Sequence, residues 1–267
     1  MITYQFNYHR PKSLADAAAL LKKSPDAKLL AGGQTLIATM KMRLANPSDL
    51  IDISGLKELN YIRVDANAVT IGAAVTHAEV VESAEVRRAL PALAELAHLI
   101  GDPAVRHKGT IGGSIANNDP AADYPAAAVA LNATIKTTER SFKADDFFTG
   151  MFSTALNDGE IVTEISFPLV ERAAYQKFRN PASRYAMAGV FVAKSKDGVR
   201  VAVTGAAPSV FRQSEMEAAL AKNFSPNAIE GIKVDPSDLT SDIHGTAEYR
   251  ANLVSVMAKR AVAAAMK

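Results

Sequence analysis

Two adjacent-glycine pairs, Gly32-Gly33 and Gly112-Gly113, constrain this chain more than any other feature of it. The first stands in Leu29-Leu30-Ala31-Gly32-Gly33-Gln34-Thr35-Leu36, where a short apolar run, read as a strand, gives way to a helical pattern. A strand entering a helix through such a turn leaves successive backbone N–H groups free at the helix N-terminus, and those donors with the helix dipole favour a phosphate. Glycine matters there because a β-carbon would hold the anion off the backbone. The second pair, in Thr110-Ile111-Gly112-Gly113-Ser114-Ile115-Ala116-Asn117, is expected to repeat the device with hydroxyls on both flanks. Either pair alone reads more readily as a plain structural turn. Together they suit a ligand with two phosphates, such as a dinucleotide.

Other phosphate chemistries fail on spacing. No G-x-G-x-x-G supports a Rossmann nicotinamide site, and no G-x-x-x-x-G-K-[ST] supports an ATP or GTP loop. The run from Gly112 to Ala116 resembles a hydrolase nucleophile elbow except that Ala116 replaces the last glycine, and no His or acid can be tied to Ser114. His9, His77, His98, His107 and His244 show no metal-ligand spacing, so no metal is expected. A formal net charge of +2 with both signs mixed provides no basic field for nucleic acid or an anionic membrane, and no apolar run approaches a membrane span. The first residues lack the pattern of a signal peptide, so the expected location is cytoplasmic. The chain has no cysteine, which excludes disulfides, thiolate metal sites and iron–sulfur clusters held by its own residues. Should the protein handle electrons, any such cluster belongs to another polypeptide.

The remaining pattern is mixed. Ser13 is placed to cap a helix through Leu14, Ala17, Ala18, Leu20 and Leu21, which Pro25-Asp26 ends. A short buried strand is expected over 28–31, a helix over 35–44 and another strand over 49–53. Residues 61–64 and 68–72 predict a hairpin, 77–83 a short helix and 87–99 a longer one. The stretch 109–131 is rich in Gly, Ala, Asn and Asp and nearly free of long charged side chains, which does not suit a solvated loop. Beyond Pro168, strands at 190–193 and 199–203 are joined through Lys196-Asp197-Gly198, a strong hairpin signal. Tyr249, Leu253, Val256 and Met257 then fall on one face of a C-terminal helix.

At these residues the chain resembles the FAD-binding medium subunit of molybdenum hydroxylases, the group containing aerobic carbon monoxide dehydrogenase, nicotine and nicotinate dehydrogenases, and the flavin domain of xanthine dehydrogenase. The matching stretches are Ala31-Gly32-Gly33-Gln34-Thr35-Leu36, Leu50-Ile51-Asp52-Ile53, Ile71-Gly72-Ala73-Ala74-Val75-Thr76-His77 and Gly109-Thr110-Ile111-Gly112-Gly113-Ser114. The last runs on through Ala116-Asn117-Asn118-Asp119-Pro120-Ala121-Ala122-Asp123, and Tyr175-Gln176-Lys177-Phe178 and Glu248-Tyr249-Arg250 follow in order. The likeness covers essentially the whole chain.

The resemblance implies an α+β fold: a two-subdomain FAD-binding α/β domain of the PCMH/VAO type (1–57 and 58–170), then a small antiparallel sheet with helices (171–267). It implies that residues 29–36 with Thr110, Ile111, Gly112, Gly113, Ser114 and Asn117 hold the FAD pyrophosphate, with Thr35, Thr110 and Ser114 supplying hydroxyls. Gln34 stands where several relatives have His, and Ser114 where they have Asn or Ser. Asp123 matches the acid reaching the adenosine part, and Ile100 a position packing on the dinucleotide. Val162 and Lys177 match positions approaching the cofactor, and Tyr185 a tyrosine lying over the isoalloxazine ring. On the residues alone, Asp123 reads as a cap for the following Ala-rich helix and Lys177 as a strand-edge charge. The implied protein holds FAD non-covalently and performs no substrate chemistry. It takes electrons from the [2Fe–2S] clusters of a small partner subunit and passes them to a terminal acceptor. A large subunit carries the molybdopterin cofactor, and the assembly is a dimer of heterotrimers, a heterohexamer. A stand-alone FAD-dependent reductase and a non-redox nucleotide-binding module are the competing readings.

Overall fold

The computed structural model describes residues 2–267. The chain opens with β1 (Asn7–His9), α1 (Leu14–Lys23), β2 (Lys28–Leu30), α2 (Leu36–Lys41) and β3 (Asp49–Asp52), whose strands form a parallel sheet in the order β1-β3-β2. Ser13 caps α1 by accepting the Asp16 N–H. The helix turns Ala17 toward Ile51, Ile53, Leu56 and Leu59, which form a small core. β2 is half-buried rather than buried, because as an edge strand it is covered on one side only. α2 stops at Lys41, short of the expected 44. Arg43 takes φ 60° there and the Leu44 N–H donates back to Thr39 O, a left-handed cap that ends the helix.

Next come β4 (Ile62–Val64), β5 (Ala68–Gly72), α3 (His77–Glu82), α4 (Ala84–Ala89), α5 (Pro91–His98), α6 (Pro103–Arg106), α7 (Ile111–Asn117) and α8 (Tyr124–Ala130). They are followed by β6 (Thr134–Thr137), β7 (Ser141–Lys143), α9 (Ala144–Phe147), β8 (Phe148–Gly150), β9 (Ser153–Thr154) and β10 (Val162–Pro168). β10 returns to the middle of an antiparallel sheet ordered β4-β5-β10-β6-β7. The single helix expected over 87–99 is two, α4 and α5. Leu90, with φ −146° and ψ 67°, is driven out of helical space by the ring of Pro91, which then starts α5. The small-residue stretch 109–131 is an interior segment: every residue of α8 is buried, and alanines let it lie close to its neighbours. The main core joins α5, α7 and α8 to the sheet through Leu93, Leu96, Ile111, Ile115, Ile135, Ile165 and Phe167.

The last part is a sheet ordered β11-β12-β13-β14, from β11 (Arg172–Arg179), β12 (Ala186–Ser195), β13 (Gly198–Thr204) and β14 (Phe211–Arg212), with α10 (Ser214–Lys222) and α11 (Ala247–Ala265). Its apolar runs are continuous because both faces are covered. Tyr175, Phe191, Ala193 and Ala202 join the main core beneath α8, while Val190, Val192, Val201 and Val203 face a second core under α10 and α11. Leu253 and Met257 of α11 are buried there as expected, but Tyr249 is exposed, its ring edge-on to Phe178 and lying over Gly245. Arg250 takes the buried place instead, donating to Met187 O, Gly205 O and the Asp242 carboxylate.

One buried histidine props the second glycine loop. The His77 N–H donates to Gly109 O at 2.9 Å, and its Nε2 lies 2.6 Å from where a β-carbon on residue 109 would stand. The ring packs on Tyr124 at 5.4 Å between centroids, and Nδ1 has no partner among the described residues. Burial, helped by the nearby Arg106 guanidinium, lowers its pKa from 6.5 to about 4. The folded chain therefore keeps His77 neutral where the unfolded chain protonates it. The resulting stability is fully present above pH 6.5 and is lost as pH falls toward 4, by at most about 3 kcal/mol. His77→Phe is expected to lose less melting temperature than the parent between pH 7.5 and 4.5, read by calorimetry; equal losses contradict the assignment. Phe191→Ala, which opens a cavity shared by sheet and α8, is expected to cost about 3–5 kcal/mol in urea unfolding.

Candidate dinucleotide site

The two glycine loops, distant in sequence, meet. A β-carbon on Gly32 would stand 2.7 Å from the Gly109 Cα and closer still to the Lys108 carbonyl, so only glycine lets the first loop lie against the backbone leading into the second. A β-carbon on Gly113 would be 3.9 Å from the Ala31 Cβ, which completes the junction from the other side. Gly33 has φ +69°, a left-handed turn that redirects the chain from β2 into α2.

The two loops differ in what they offer. Among the described residues, the N–H groups of Gly32, Gly33, Gln34, Thr35 and Leu36 have no hydrogen-bond partner. Gln34 and Thr35 are exposed, so this run of donors faces solvent. The second loop does not repeat the device. Ile111 N donates to Val75 O, Gly112 N to Ala73 O, and Gly113 N to the Thr110 hydroxyl, which caps α7. The expectation of free donors at both helix N-termini is thus corrected. The donors of α7 are engaged by the loop after β5, and Gly112 is glycine because a β-carbon would strike the Ala73 backbone. What the second loop presents is shape and hydroxyls: Gly113 and Ser114 are half-buried, and Thr110 retains its hydroxyl hydrogen while its oxygen accepts from Gly113. α2 has only six residues, so no long helix dipole adds to this row of N–H groups.

A second cluster lies where β11 meets α5 and α8. The Asp123 carboxylate, in a residue 5% exposed, accepts from the Tyr175 hydroxyl at 2.5 Å and from Lys177 Nζ at 2.9 Å. Lys177 Nζ also donates to Leu99 O at 3.2 Å, and its side chain is 2% exposed. Lys177 is therefore half of a buried ion pair and not a strand-edge charge, and Asp123 makes no capping bond to α8. Burial pushes the Asp123 carboxyl above the usual carboxylate range, and Lys177 and Tyr175 pull it part of the way back. Ile100 is brought beside this pair by the Lys177–Leu99 bond, and the Arg106 guanidinium donates to Ile100 O at 3.0 Å. Tyr185 is half exposed, follows Arg184 at φ 63°, and stands close enough to Asp119 and Asp123 for both carboxylates, after burial, to raise its hydroxyl pKa.

Of the other candidates, Leu29, Leu30 and Ala31 are half-buried behind the first loop. Asn117 closes α7 and leads to Asn118, whose left-handed backbone and side-chain bonds to Gly150 O and Ser153 O fix the exit of that helix. Val162 is buried in the main core, which leaves little of its side chain for a ligand. Sequence reasoning passed over Tyr175, which orients Asp123. Its signal was Gly189, a glycine inside the apolar β12 run: a β-carbon there would collide with the Tyr175 hydroxyl, and strand glycines mark such close approaches. Among the described residues no acid–histidine cluster suited to a metal occurs, and no helix is long and apolar enough to cross a membrane.

Comparison with known proteins bears directly on this geometry. The family described as the FAD binding domain in molybdopterin dehydrogenase matches residues 4–170. The chain is 38% identical to the carbon monoxide dehydrogenase medium chain of Hydrogenophaga pseudoflava, covering 99% of this chain and 98% of that one. It is 36% identical to the glyceraldehyde dehydrogenase medium chain of Sulfolobus acidocaldarius, covering 96% and 97%. A crystal structure of the Cu,Mo-CO dehydrogenase contains a chain that superposes with a TM-score of 0.91 at 36% identity over 99% of each. A family match over most of the chain and relatives aligned nearly end to end agree: the chain belongs to the FAD-binding domain family of molybdopterin dehydrogenases, as an FAD-binding medium subunit of the molybdenum hydroxylases.

Proposed function

We propose that this chain grips the pyrophosphate of FAD at the junction of its glycine loops and serves as the electron relay of a molybdenum hydroxylase. In this reading it takes electrons from [2Fe–2S] clusters in a small partner subunit and hands them to a terminal acceptor, in a cytoplasmic dimer of heterotrimers whose large subunit carries the molybdopterin. The observation that carries the reading is the row of five free N–H groups from Gly32 to Leu36, set against the second loop by the contact of Gly32 with Lys108 and Gly109. A diphosphate fits there because its charge meets donors that no side chain among the described residues satisfies. When bound, FAD supplies the redox chemistry that no cysteine-bound centre of this chain can supply.

The chain's own residues bind and orient. Gly32, Gly33, Gln34, Thr35 and Leu36 donate to the pyrophosphate, Leu29, Leu30 and Ala31 back that loop, and the Thr35, Thr110 and Ser114 hydroxyls complete the cradle with Ile111, Gly112, Gly113 and Asn117. Ile100 walls the site, and Val162, which matches a position approaching the cofactor in relatives, stays in the core behind it. The Asp123–Lys177 pair lies along the adenosine portion, with Tyr185 covering the ring. The divisions 1–57, 58–170 and 171–267 are the proposed subdomains, the dinucleotide lying between the first two. The substrate of the complex leaves no trace in this chain, consistent with medium chains whose names give carbon monoxide and glyceraldehyde as different substrates.

Two results test this. The native protein, pulled down from its source, is expected to bring two further polypeptides with flavin, iron and molybdenum; a flavin-bearing chain with no partners supports the stand-alone reductase instead. Gly32→Val is expected to weaken FAD binding by about a hundredfold or more, the loss of one or two charge-assisted N–H bonds, as followed by quenching of flavin fluorescence. Gly231→Val, with open space around it and no left-handed backbone, serves as the control, and equal affinity in both variants contradicts the assignment.

A further inference from the structure

The N-terminal segment carries a feature that flavin binding does not use. Its even-numbered residues Tyr4, Phe6 and Tyr8 are large, apolar or aromatic, and 42%, 38% and 54% exposed. Tyr8 lies in β1, and Tyr4 and Phe6 lie in the segment leading into it, so the three follow one another along its approach. The strand is tied down, since Asn7 Nδ2 and His9 Nε2 both bond Asp49 Oδ1, at 3.1 and 2.7 Å. Tyr8 is held as well, its hydroxyl donating to the Asp52 carboxylate. Beside the row runs the exit of α2, where Met42 and Leu44 are 62% and 73% exposed and the intervening Arg43 places its guanidinium 5.0 Å from the Tyr4 ring. Together they form an apolar band of which Tyr8 lies in β1, an edge strand with no neighbour on its outer side among the described residues, while Tyr4 and Phe6 lead into it and Met42 and Leu44 flank it. Exposed long apolar side chains clustered at a sheet edge are an aggregation hazard unless a partner covers them.

Charge says what kind of partner. Arg43 lies within the band, and Arg10 stands by Tyr8 and Asp52, its guanidinium 3.4 Å from where a β-carbon on Gly55 would lie. Neither arginine has an ion-pair partner among the described residues. Unpaired guanidiniums next to a fixed aromatic surface complement an apolar patch with acidic residues around it, and interface centres favour Tyr, Phe, Met and Arg for this reason. We infer that the band formed by Tyr4, Phe6, Tyr8, Met42 and Leu44, with Arg10 and Arg43, is the docking surface for an acidic-rimmed apolar face of a partner subunit in the same complex. The inference rests on the reading of the chain as one subunit of a larger assembly. It adds which face of the chain meets a partner. The row is held in place before contact by Asp49, Asp52 and Arg43, so little side-chain order is lost on docking.

The test uses the full FAD-loaded chain and its co-purifying subunits. Two variants, Tyr4→Ala with Leu44→Ala and Arg43→Glu alone, are compared with Ile243→Ala, an exposed apolar residue outside the band. Each is titrated with the separated partner subunits while flavin content and melting temperature are recorded. Both band variants are expected to keep FAD and their thermal transition yet bind the partners about tenfold or more weakly, with Ile243→Ala unchanged. Undiminished association in both overturns the inference while leaving the flavin reading intact. A parent chain that binds FAD but no partner at all overturns the subunit reading and this surface with it. Self-association of the parent chain that the same substitutions abolish assigns the band to a second copy and also overturns it.

Discussion

The structure depends on one close approach of backbone to backbone. Gly32 lies so near the Lys108 carbonyl and the Gly109 Cα that no side chain fits between them. That contact joins the parallel sheet of the first residues to the body built on β5, β10 and α7, and it sets five unpartnered N–H groups beside the second loop. Leaving backbone donors unpaired is costly where water is excluded, which is why they sit at the surface. The same exposure leaves them ready for an anion. Behind them the second loop is made rigid: Val75 and Ala73 carbonyls hold Ile111 and Gly112, Thr110 caps Gly113, and His77 supports Gly109 from below. One loop keeps its donors open and the other is locked behind it.

The C-terminal sheet is attached by a different physics. Its β12 is apolar on both faces, so Phe191 and Ala193 pack into the main core while Val190 and Val192 pack under α11. Within that apolar joint sits the Asp123–Lys177 pair with Tyr175, whose burial would be costly without the bonds from Tyr175 and to Leu99 O. The pair ties the end of α5, the start of α8 and β11 at one point. The half-exposed Tyr185 loop is thereby held beside Asp119 and Asp123.

Much of this was legible in the residues, for identifiable reasons. The small-residue stretch, unsuited to a solvated loop, is buried, and Asp197-Gly198 marks the β12–β13 hairpin, whereas the glycine pairs, read as leaving room for an anion, leave room at Gly32 and Gly112 for neighbouring backbone. Local rules also set the Ser13 cap. What was not legible depends on partners distant in sequence. Nothing near Gly112 reveals that Ala73 O takes its N–H and Val75 O that of Ile111. Lys177 reads as a surface charge until β11 is seen to place it against Asp123. The break at Leu90 was local and readable from Pro91. The end of α2 rests on Arg43 adopting a left-handed backbone, which composition does not signal. The even-numbered aromatic row of the N-terminus is visible in the sequence, but its exposure is not, since alternation alone would place such a row in a core.

The central claim is that the free donors of the first loop close on a diphosphate. Backbone hydrogen exchange across residues 31–36, measured with and without FAD, tests it most directly. The amides from Gly32 to Leu36 are expected to exchange fast without FAD and become strongly protected with it, while those of Ile111 to Gly113, bonded within the protein already, change little. Protection confined to some other segment, with the first loop still exchanging freely in the flavin-bound protein, would contradict it.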